Sequence, residues 1–463
     1  MRIEILGGDG EIGGNKILLE HKDTRIFLDF GMSFKQSSKF FSEFLQPRKC
    51  AALTDFFELG LLPDIEGLYR KDYLKHMGRK EEERQIDAVF LSHAHADHAQ
   101  YIHFLRFDIP IYCSQVTKTI MQCLEETGSN PLSDFITGCE AFQFYENKKG
   151  GLSRVTRKNK DFVHERDFRI MNPETKEQVK DFEIEMVPVD HSVPGACGYI
   201  VHSDEGNLVY TGDIRFHGSR NEQSRRFVEK AKLAKPKWLL CEGTRIGKTN
   251  KDSEEAVKER IKEIISGSKG IVFVEHPARD LDRVNTIFES VKANNREFAV
   301  NLKLAYYLWA LEENCPFSLD AVKIFVGKKS WGLMGKPSID GKLVDRDYST
   351  WERDFIHRGN SITSEELCNH PQKYVVSMNI WEMNQLTDIK PQNAIWIKSS
   401  CDAFCDEMKL DEERKQNWLT HFNIKEYSTH ASGHASGDEI KQMIKEINPD
   451  ILIPIHTENP ELF

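Results

Sequence analysis

The chain has 463 residues with 63 Lys and Arg against 73 Asp and Glu, and its net charge of −10 argues against a protein that coats nucleic acid non-specifically. No run of 18 apolar residues occurs, and the N-terminus lacks a basic segment followed by an apolar one, so we expect neither a transmembrane helix nor a secretory signal. Ten cysteines are scattered without a Cys-x-x-Cys pair, which predicts free thiols in a reducing, cytoplasmic compartment rather than disulfides or a thiolate zinc site.

The predicted elements indicate one domain that is interrupted by another. Residues 1–30 alternate polar and apolar positions, which predicts a meander of antiparallel strands. From about residue 225, helices alternate with continuous apolar strands, which predicts a parallel sheet covered on both faces. Short strand patterns return after about residue 420. We therefore predict an α/β protein with a first domain at 1–225, an inserted domain at 226–415 and a return to the first domain at 416–463.

The segment 146–180 stands out because it is polar and locally basic. Six basic residues lie between residues 148 and 160 with no acid among them until Asp161, and we interpret the segment as an insertion. The six are Lys148, Lys149, Arg154, Arg157, Lys158 and Lys160.

Two glycine-rich segments resemble nucleotide-binding motifs without meeting their structural requirements. Gly8, Gly10 and Gly13 fit the dinucleotide pattern, but a strand pattern follows them where a helix is needed. The segment GTRIGKT has three residues between its glycines, one fewer than a phosphate-binding loop. We therefore expect no nucleotide cofactor.

The segment LSHAHADHAQ contains the most informative cluster. A predicted strand ends at Ser92 and is followed by His93, His95, Asp97 and His98. Side chains alternate on an extended backbone, so His93 and His95 point the same way, while the other two follow on a turn. Imidazole and carboxylate ligands without a thiolate suit Zn²⁺ or a similar divalent ion, and a metal-free histidine cluster is the alternative.

Four residues cannot complete two metal sites, so further ligands are expected at other strand ends. His191, Asp213 and His456 each follow an apolar strand, and the Asp213 carboxylate could bridge two ions. Each residue alone is better explained as part of a capped turn or of the core. Their shared position just beyond a strand favours a common site.

These motifs together resemble the metallo-β-lactamase fold and, within it, the β-CASP nucleases, most closely the ribonuclease J family. The segments ILGGDGEIGGN, LDFG, LSHAHADHAQ, VDHSVPGACGY and TGDIRF are similar to the family's motifs and occur in the same order. Glu242 in LLCEGT, His434 in ASGHAS and His456 in IPIHTE resemble the marks of the β-CASP branch. The resemblance implies a metallo-β-lactamase αββα sandwich with an inserted β-CASP domain built on a parallel α/β sheet.

The resemblance also implies two divalent metal ions, either Zn²⁺ or Mn²⁺. One ion would be held by His93, His95 and His191, the other by Asp97, His98 and His456, with Asp213 as the bridge. Asp29 in LDFG would orient a ligand histidine through a hydrogen bond.

Three features depart from the family pattern. The stretch between His98 and His191 is longer, which accounts for the basic insertion. The sequence HTE replaces the usual HGE at the last histidine, and the chain ends seven residues after His456, so we expect the family's C-terminal domain to be absent.

The implied chemistry is phosphodiester hydrolysis by a metal-activated hydroxide. Asp97 is the predicted proton acceptor, and His434, oriented by Glu242, is placed to contact the scissile phosphate or to protonate the leaving oxygen. Small side chains and amides that could contact phosphate come from Ser432, Gly433 and Ser436. An ordinary turn is an equal alternative for those three residues.

We expect single-stranded RNA as the substrate and keep DNA as an alternative. Trp331, Tyr348, Trp351 and Phe355 lie among basic residues and suggest either a base-stacking segment or a packed aromatic lid. A small-molecule metallohydrolase is the rival enzyme, but it leaves His434 and the inserted domain unexplained. A binding subunit without catalysis is disfavoured because all seven ligands are present.

Overall fold

The computed structural model describes residues 1–463 except 43, 49, 174, 250–252, 337, 339, 404 and 405. The strands, in chain order, are β1 (Arg2–Gly7), β2 (Lys16–His21), β3 (Thr24–Phe30), β4 (Ala88–Phe90), β5 (Ile111–Cys113), β6 (Thr137–Cys139), β7 (Phe144–Glu146), β8 (Leu152–Arg154), β9 (Val163–Glu165), β10 (Phe168–Ile170), β11 (Lys176–Val179), β12 (Phe182–Pro188), β13 (Cys197–His202), β14 (Leu208–Tyr210), β15 (Trp238–Glu242), β16 (Val272–Glu275), β17 (Glu297–Asn301), β18 (Lys323–Phe325), β19 (Ser361–Ile362), β20 (Tyr374–Ser377), β21 (Ile395–Lys398), β22 (Lys425–Ser428) and β23 (Ile451–Ile455).

The α-helices, in chain order, are α1 (Phe34–Ser37), α2 (Ala52–Glu58), α3 (Lys71–His76), α4 (Ala96–Ala99), α5 (Gln115–Thr127), α6 (Asn221–Leu233), α7 (Glu254–Gly267), α8 (Leu281–Ala293), α9 (Leu302–Ala310), α10 (Gly341–Asp345), α11 (Thr350–Ile356), α12 (Ser364–Asn369), α13 (Leu386–Ile389), α14 (Asp406–His421) and α15 (Gly437–Ile447). Short 3₁₀ segments lie at Gln100–Phe104, Lys160–Phe162, Glu312–Asn314, Leu319–Ala321, Ile380–Gln385 and Pro460–Leu462. No helix in the described part of the chain is long and apolar enough to cross a bilayer.

The first of two compact units contains two six-stranded sheets. This unit comprises Met1–Phe216, Arg220–Asn250 and Gly433–Phe463. One sheet has the order β1-β2-β3-β4-β5-β10, with β1 to β3 antiparallel as the sequence predicts. The other has the order β11-β12-β13-β14-β15-β23, in which β14, β15 and β23 run parallel.

The two sheets pack face to face around an apolar core. Alternation along β2 turns Ile17 and Leu19 into this core, and alternation along β12 does the same for Phe182, Ile184 and Met186. The outer face of the second sheet is covered by α6 and α15 through a second apolar cluster. Helix α4 and the segment Gln100–Phe104 contact β3 of the first sheet. The predicted αββα sandwich is confirmed.

The second unit is built on a parallel sheet with the order β19-β18-β17-β20-β16-β21-β22. Every described strand pair in it is parallel, as the alternation of helices and apolar strands predicts. Val272, Phe273 and Val274 of β16 are all fully buried because helices cover both faces. This unit comprises His217–Ser219 and Lys251–Ser432.

The unit boundaries differ from the predicted ones at residues 226 and 415. Helix α6 and strand β15 remain with the first unit because β15 pairs with both β14 and β23. Strand β22 stays with the second unit because it extends the parallel sheet beside β21. The sequence pattern cannot separate the units here, since both contain parallel strands alternating with helices.

Candidate metal centre

Side chains with metal-ligating atoms meet where four strands of the first unit end. The loop and short helix α4 after β4 carry four of them, and the segments after β12, β14 and β23 carry one each. The structure brings together all the predicted ligands, which are His93, His95, Asp97, His98, His191, Asp213 and His456.

Three histidines and one carboxylate form the first group. The Nδ1 atom of His95 lies 3.0 Å from Nε2 of His93 and 3.1 Å from Nε2 of His191. Oδ2 of Asp213 lies 3.5 Å from the His93 nitrogen and 3.6 Å from the His191 nitrogen. Nitrogen and oxygen atoms at this spacing can share one cation between them.

The second group lies beside the first and shares Asp213. Nε2 of His456 is 3.2 Å from Oδ2 of Asp97 and 3.8 Å from Oδ1 of Asp213. Nε2 of His98 is 3.3 Å from Oδ2 of Asp213. The Asp213 carboxylate therefore contacts both groups, as a bridging ligand must.

Two buried atoms in this cluster indicate a missing partner. Within the described residues, Nε2 of His98 and Oδ1 of Asp213 are buried and make no hydrogen bond. Unpaired buried polar atoms are costly, and a cation among these donors would satisfy both. The donor set of imidazoles and carboxylates therefore fits divalent metal ions.

Asp29 orients one ligand of each group through hydrogen bonds, directly or through Ser92. Its carboxylate accepts hydrogen bonds from Nδ1 of His98 at 2.7 Å and from the Ser92 hydroxyl at 2.7 Å. The Ser92 oxygen in turn accepts from Nδ1 of His93 at 2.9 Å. Both rings are thereby held with Nε2 facing the cluster, which agrees with the predicted role of Asp29.

His191 and His456 also form a hydrogen bond through Nδ1, the ring nitrogen that faces away from the cluster. Nδ1 of His191 donates to the Gly433 carbonyl at 2.6 Å, and Nδ1 of His456 donates to the Thr244 hydroxyl at 2.8 Å. Sequence reasoning missed Ser92 and Thr244. Thr244 lies two residues after Glu242 at the end of β15, but a lone threonine at that place forms no recognisable motif.

The electrostatics of the cluster suit metal binding. Burial lowers the pKa of His191 to about 3 and holds the pKa of His93 well below its usual value, so both rings are neutral at pH 7 and offer a lone pair. Burial alone would raise the pKa of Asp97, but the adjacent His98 and His456 hold it below the usual range. The carboxylate is therefore ionised and available to a cation.

His434 lies at the edge of the cluster and is held by Glu242. Its Nδ1 is 3.1 and 3.2 Å from the two carboxylate oxygens of Glu242, which also accept from the amides of Ile214 and Thr244 at 3.1 Å. Burial opposes a charge on His434, but Glu242 and Asp213 outweigh it and raise the pKa of His434 to about 9. The ring is thus a proton donor near pH 7.

Two side chains at the centre are partly exposed. His93, His98, His191, Asp213 and His456 are buried. In contrast, the side chains of Asp97 and His434 are 16% and 21% exposed. Solvent therefore reaches both predicted catalytic groups.

The opening glycine motif packs against this site. A Cβ atom at Gly13, where φ is +81°, would lie 2.7 Å from Oδ2 of Asp97. The strand β2 follows the motif, as the alternating sequence predicts. Gly13 allows the close approach of the backbone to Asp97.

The three predicted phosphate contacts have structural roles. The Gly433 carbonyl accepts from His191, and the Ser432 carbonyl accepts from Nε2 of His217 at 2.9 Å. Ser436 is the N-cap of α15 and forms a capping box with Glu439. Contact of these residues with phosphate stays a prediction.

The predicted stacking segment is mainly a packed lid. Tyr348 and Phe355 are buried, and Tyr306 packs edge-on against Trp351 and Phe355. Trp331 is exposed. The alternative interpretation therefore applies to most of that segment.

Two domain families match parts of the chain. Residues 62–258 match the β-lactamase superfamily domain, and residues 423–462 match the Zn-dependent metallo-hydrolase RNA specificity domain. The second match contains His434 and His456.

Among curated proteins, ribonuclease J of Mycoplasma genitalium is 25% identical over an alignment of 465 positions. The alignment covers 99% of this chain and 68% of that protein. Ribonuclease J 2 of Streptococcus pyogenes is 22% identical, and the match covers 99% of this chain and 70% of that protein. Ribonuclease J of Pyrococcus abyssi is also 22% identical, and the match covers 99% of this chain and 90% of that protein. A crystal structure of a protein of unknown function from Enterococcus faecalis V583 shares the fold, with a TM-score of 0.72, 22% identity and coverage of 100% of this chain and 95% of that one. Residues 62–258 therefore form a β-lactamase superfamily domain, and the predicted similarity of the chain to ribonuclease J is confirmed along 99% of its length.

Proposed function

We propose that the chain is a metal-dependent ribonuclease that hydrolyses single-stranded RNA with two divalent metal ions, Zn²⁺ or Mn²⁺. The observation that carries this proposal is the His434–Glu242 pair at the edge of the ligand cluster. The match to an RNA specificity domain and the ribonuclease J relatives support RNA as the substrate class.

The contacts suggest how the ligands would divide between two ions. His93, His95 and His191 would hold one ion, and Asp97, His98 and His456 would hold the other, with Asp213 close to both groups. Such a pair of ions, when bound, lowers the pKa of a water molecule and neutralises charge on the phosphate. Asp29, Ser92, Thr244 and the Gly433 carbonyl keep the ligand rings oriented.

The remaining steps belong to side chains of the protein. Asp97, ionised and partly exposed, accepts the proton of the attacking water. As the new P–O bond forms and the bond to the leaving sugar oxygen breaks, His434 stabilises the phosphate charge and donates a proton to that oxygen. Glu242 accepts a hydrogen bond from Nδ1 of His434 and so leaves Nε2 to face the substrate.

Two further assignments remain part of the proposal. DNA is the alternative substrate, because the His434–Glu242 pair acts on phosphate and not on the sugar. A reducing, cytoplasmic location is supported by the cysteines, since the nine within the described residues are free thiols and Cys405 lies outside them.

The test compares the wild-type protein with His434→Ala on end-labelled RNA, on DNA of the same sequence and on a p-nitrophenyl ester. We expect His434→Ala to keep its metal content while kcat on RNA falls by about 10²–10³-fold, because the contact forms mainly in the transition state. The exposed His370 provides a matched control, and His370→Ala should leave kcat unchanged.

Near-normal RNA and DNA cleavage by His434→Ala with its metals bound would contradict the proposal. Efficient ester hydrolysis that is indifferent to His434, with no RNA or DNA cleavage by the wild type, would favour the small-molecule hydrolase instead.

A further inference from the structure

The basic insertion contains a hairpin that exposes apolar side chains. Strands β7 and β8 pair only with each other, antiparallel, among the described strands. Phe144, Tyr145 and Leu152 are 59%, 44% and 79% exposed. A two-stranded hairpin buries little on its own, so exposed aromatic rings on it indicate a binding surface.

Four lysines lie close to these side chains in the sequence. Lys148 and Lys149 lie in the hairpin turn, and Lys158 and Lys160 follow β8. All four are exposed, and within the described residues none of them forms an ion pair. This basic patch is notable because the whole chain carries a net charge of −10.

One arginine of the insertion has a different role. Arg157 lies 3.1 Å from Asp134 and 3.4 Å from Glu125, so it anchors the segment to the first unit. Arg157 is therefore the anchor of the insertion, whereas the four lysines are exposed and unpaired within the described residues.

The base of the insertion is held on helix α3. The rings of His76 and Phe142 stack at 3.6 Å, and the amide of Ala141 donates to Asp72 at 2.7 Å. Lys71 and Lys75 of α3 are also exposed and have no ion pair in the described part of the chain. We define the hairpin surface as Phe144, Tyr145, Leu152, Lys71, Lys75, Lys148, Lys149, Lys158 and Lys160.

The hairpin surface is separate from the metal centre. Helix α5 begins after Ser114, whose hydroxyl donates to the carbonyl of Gly195 in the loop that follows His191. The helix has 13 residues, and the insertion follows its C-terminal end in the sequence. The residues of the hairpin surface are distinct from the ligands of the candidate metal centre.

We propose that the hairpin surface binds single-stranded RNA outside the metal centre, and this inference rests on the proposed ribonuclease function. Unpaired bases stack on Phe144 and Tyr145, and the lysines pair with phosphates. Lysine ammonium groups act as point charges, so the surface binds without sequence preference. A second copy that presents the same surface fits less well, because the exposed lysines of the two copies would repel each other.

The electrostatic part is tested with a fourfold variant that carries Lys148→Gln, Lys149→Gln, Lys158→Gln and Lys160→Gln. Its matched control carries Lys232→Gln, Lys235→Gln, Lys441→Gln and Lys445→Gln, which are exposed residues of the first unit. Binding of a fluorescein-labelled 30-nucleotide RNA is followed by anisotropy over a salt series, on the His434→Ala background with metals bound.

We expect the hairpin variant to raise Kd by about 10-fold or more at low salt and to reduce the slope of log Kd against log salt by about 3, as four lost contacts to a single strand require. The control should change Kd by less than about 2-fold. Equal effects of the two variants, or no effect of either, would overturn the proposal.

The stacking part is tested with Phe144→Ser and Tyr145→Ser together. We expect Kd for the single strand to rise by about 5-fold or more with an unchanged salt slope, and Kd for a duplex to stay the same. An equal loss for single strand and duplex would contradict stacking.

Two controls separate this proposal from the proposed function. With His434 intact, all hairpin variants should hydrolyse a trinucleotide normally and show a raised KM only for the 30-nucleotide RNA. A wild type that hydrolyses neither RNA refutes the ribonuclease but leaves the binding test valid. A dimer in sedimentation that the lysine variant converts to monomer, with RNA affinity unchanged, would assign the surface to a second copy and overturn the proposal.

Discussion

Asp29 is the residue on which the geometry of the metal centre depends most widely. It is fully buried, adopts a φ of +58°, and accepts hydrogen bonds from the amide and hydroxyl of Ser92 as well as from His98. Through Ser92 it also orients His93. One carboxylate therefore positions a ligand in each of the two groups.

We predict that Asp29→Asn weakens metal affinity by about 10–100-fold, the usual cost of losing a partner behind a ligand. Asparagine tolerates the left-handed backbone, so the loss reports on the carboxylate and not on strain. Competition with a chromophoric chelator measures the affinity, and RNA cleavage should return in excess metal. By comparison, Asp213→Ala should stay inactive in excess metal, and equal behaviour of the two variants would refute the role of Asp29.

The ligand residues could be predicted from the sequence because each lies just past an apolar strand. The hydrogen-bond partners of the ligand histidines could not be predicted in this way. Thr244 reaches His456 across 212 positions in the chain, and the Gly433 partner of His191 is a backbone carbonyl. Neither a lone threonine nor a carbonyl leaves a sequence pattern, so such contacts emerge only when the strands are assembled.

Among the structural elements, the loop between β1 and β2 offers the sharpest comparison. Gly10 and Gly13 both have positive φ, +62° and +81°. A Cβ atom at Gly10 meets nothing within 4 Å, whereas one at Gly13 lies 2.7 Å from both Cβ and Oδ2 of Asp97. Substitutions at these two glycines therefore separate the cost of backbone strain from the effect of displacing Asp97.

We predict that Gly10→Ala and Gly13→Ala each lower the free energy of unfolding by about 1–2 kcal/mol, the cost of a left-handed alanine. Only Gly13→Ala should also weaken metal binding and RNA cleavage, because it displaces Asp97. Urea unfolding and chelator competition measure the two effects. A Gly13→Ala protein with unchanged metal affinity would show that the close approach to Asp97 does not matter.

Helix α15 allows the two roles considered for Ser436 to be distinguished. As the N-cap, Ser436→Ala should cost about 1 kcal/mol of stability and leave KM for RNA unchanged, and Ser436→Asp should restore stability because aspartate also caps. Thermal unfolding and steady-state kinetics provide the readouts. If the hydroxyl contacts phosphate instead, Ser436→Asp should raise KM strongly through repulsion.

On the scale of the whole molecule, the strand patterns predicted the classes of both units but not their limits. Antiparallel β1 to β3 and the parallel second sheet follow directly from alternating and continuous apolar patterns. The boundaries of the two units depend on which strands pair with each other. Strand β15 pairs with β23, which follows the second unit in the sequence, and β22 extends the sheet of the second unit. Pairing over such distances is decided by tertiary packing.

The measurement that tests the account most directly is a titration of the metal-free protein with Zn²⁺ or Mn²⁺, in which bound metal and cleavage of end-labelled single-stranded RNA are followed together. The account predicts that activity rises as bound metal approaches about two ions per chain, the stoichiometry of paired-metal hydrolases, and that Asp213→Ala remains inactive throughout. Full RNA cleavage in chelator without bound metal, or two bound ions without any RNA cleavage, would contradict it.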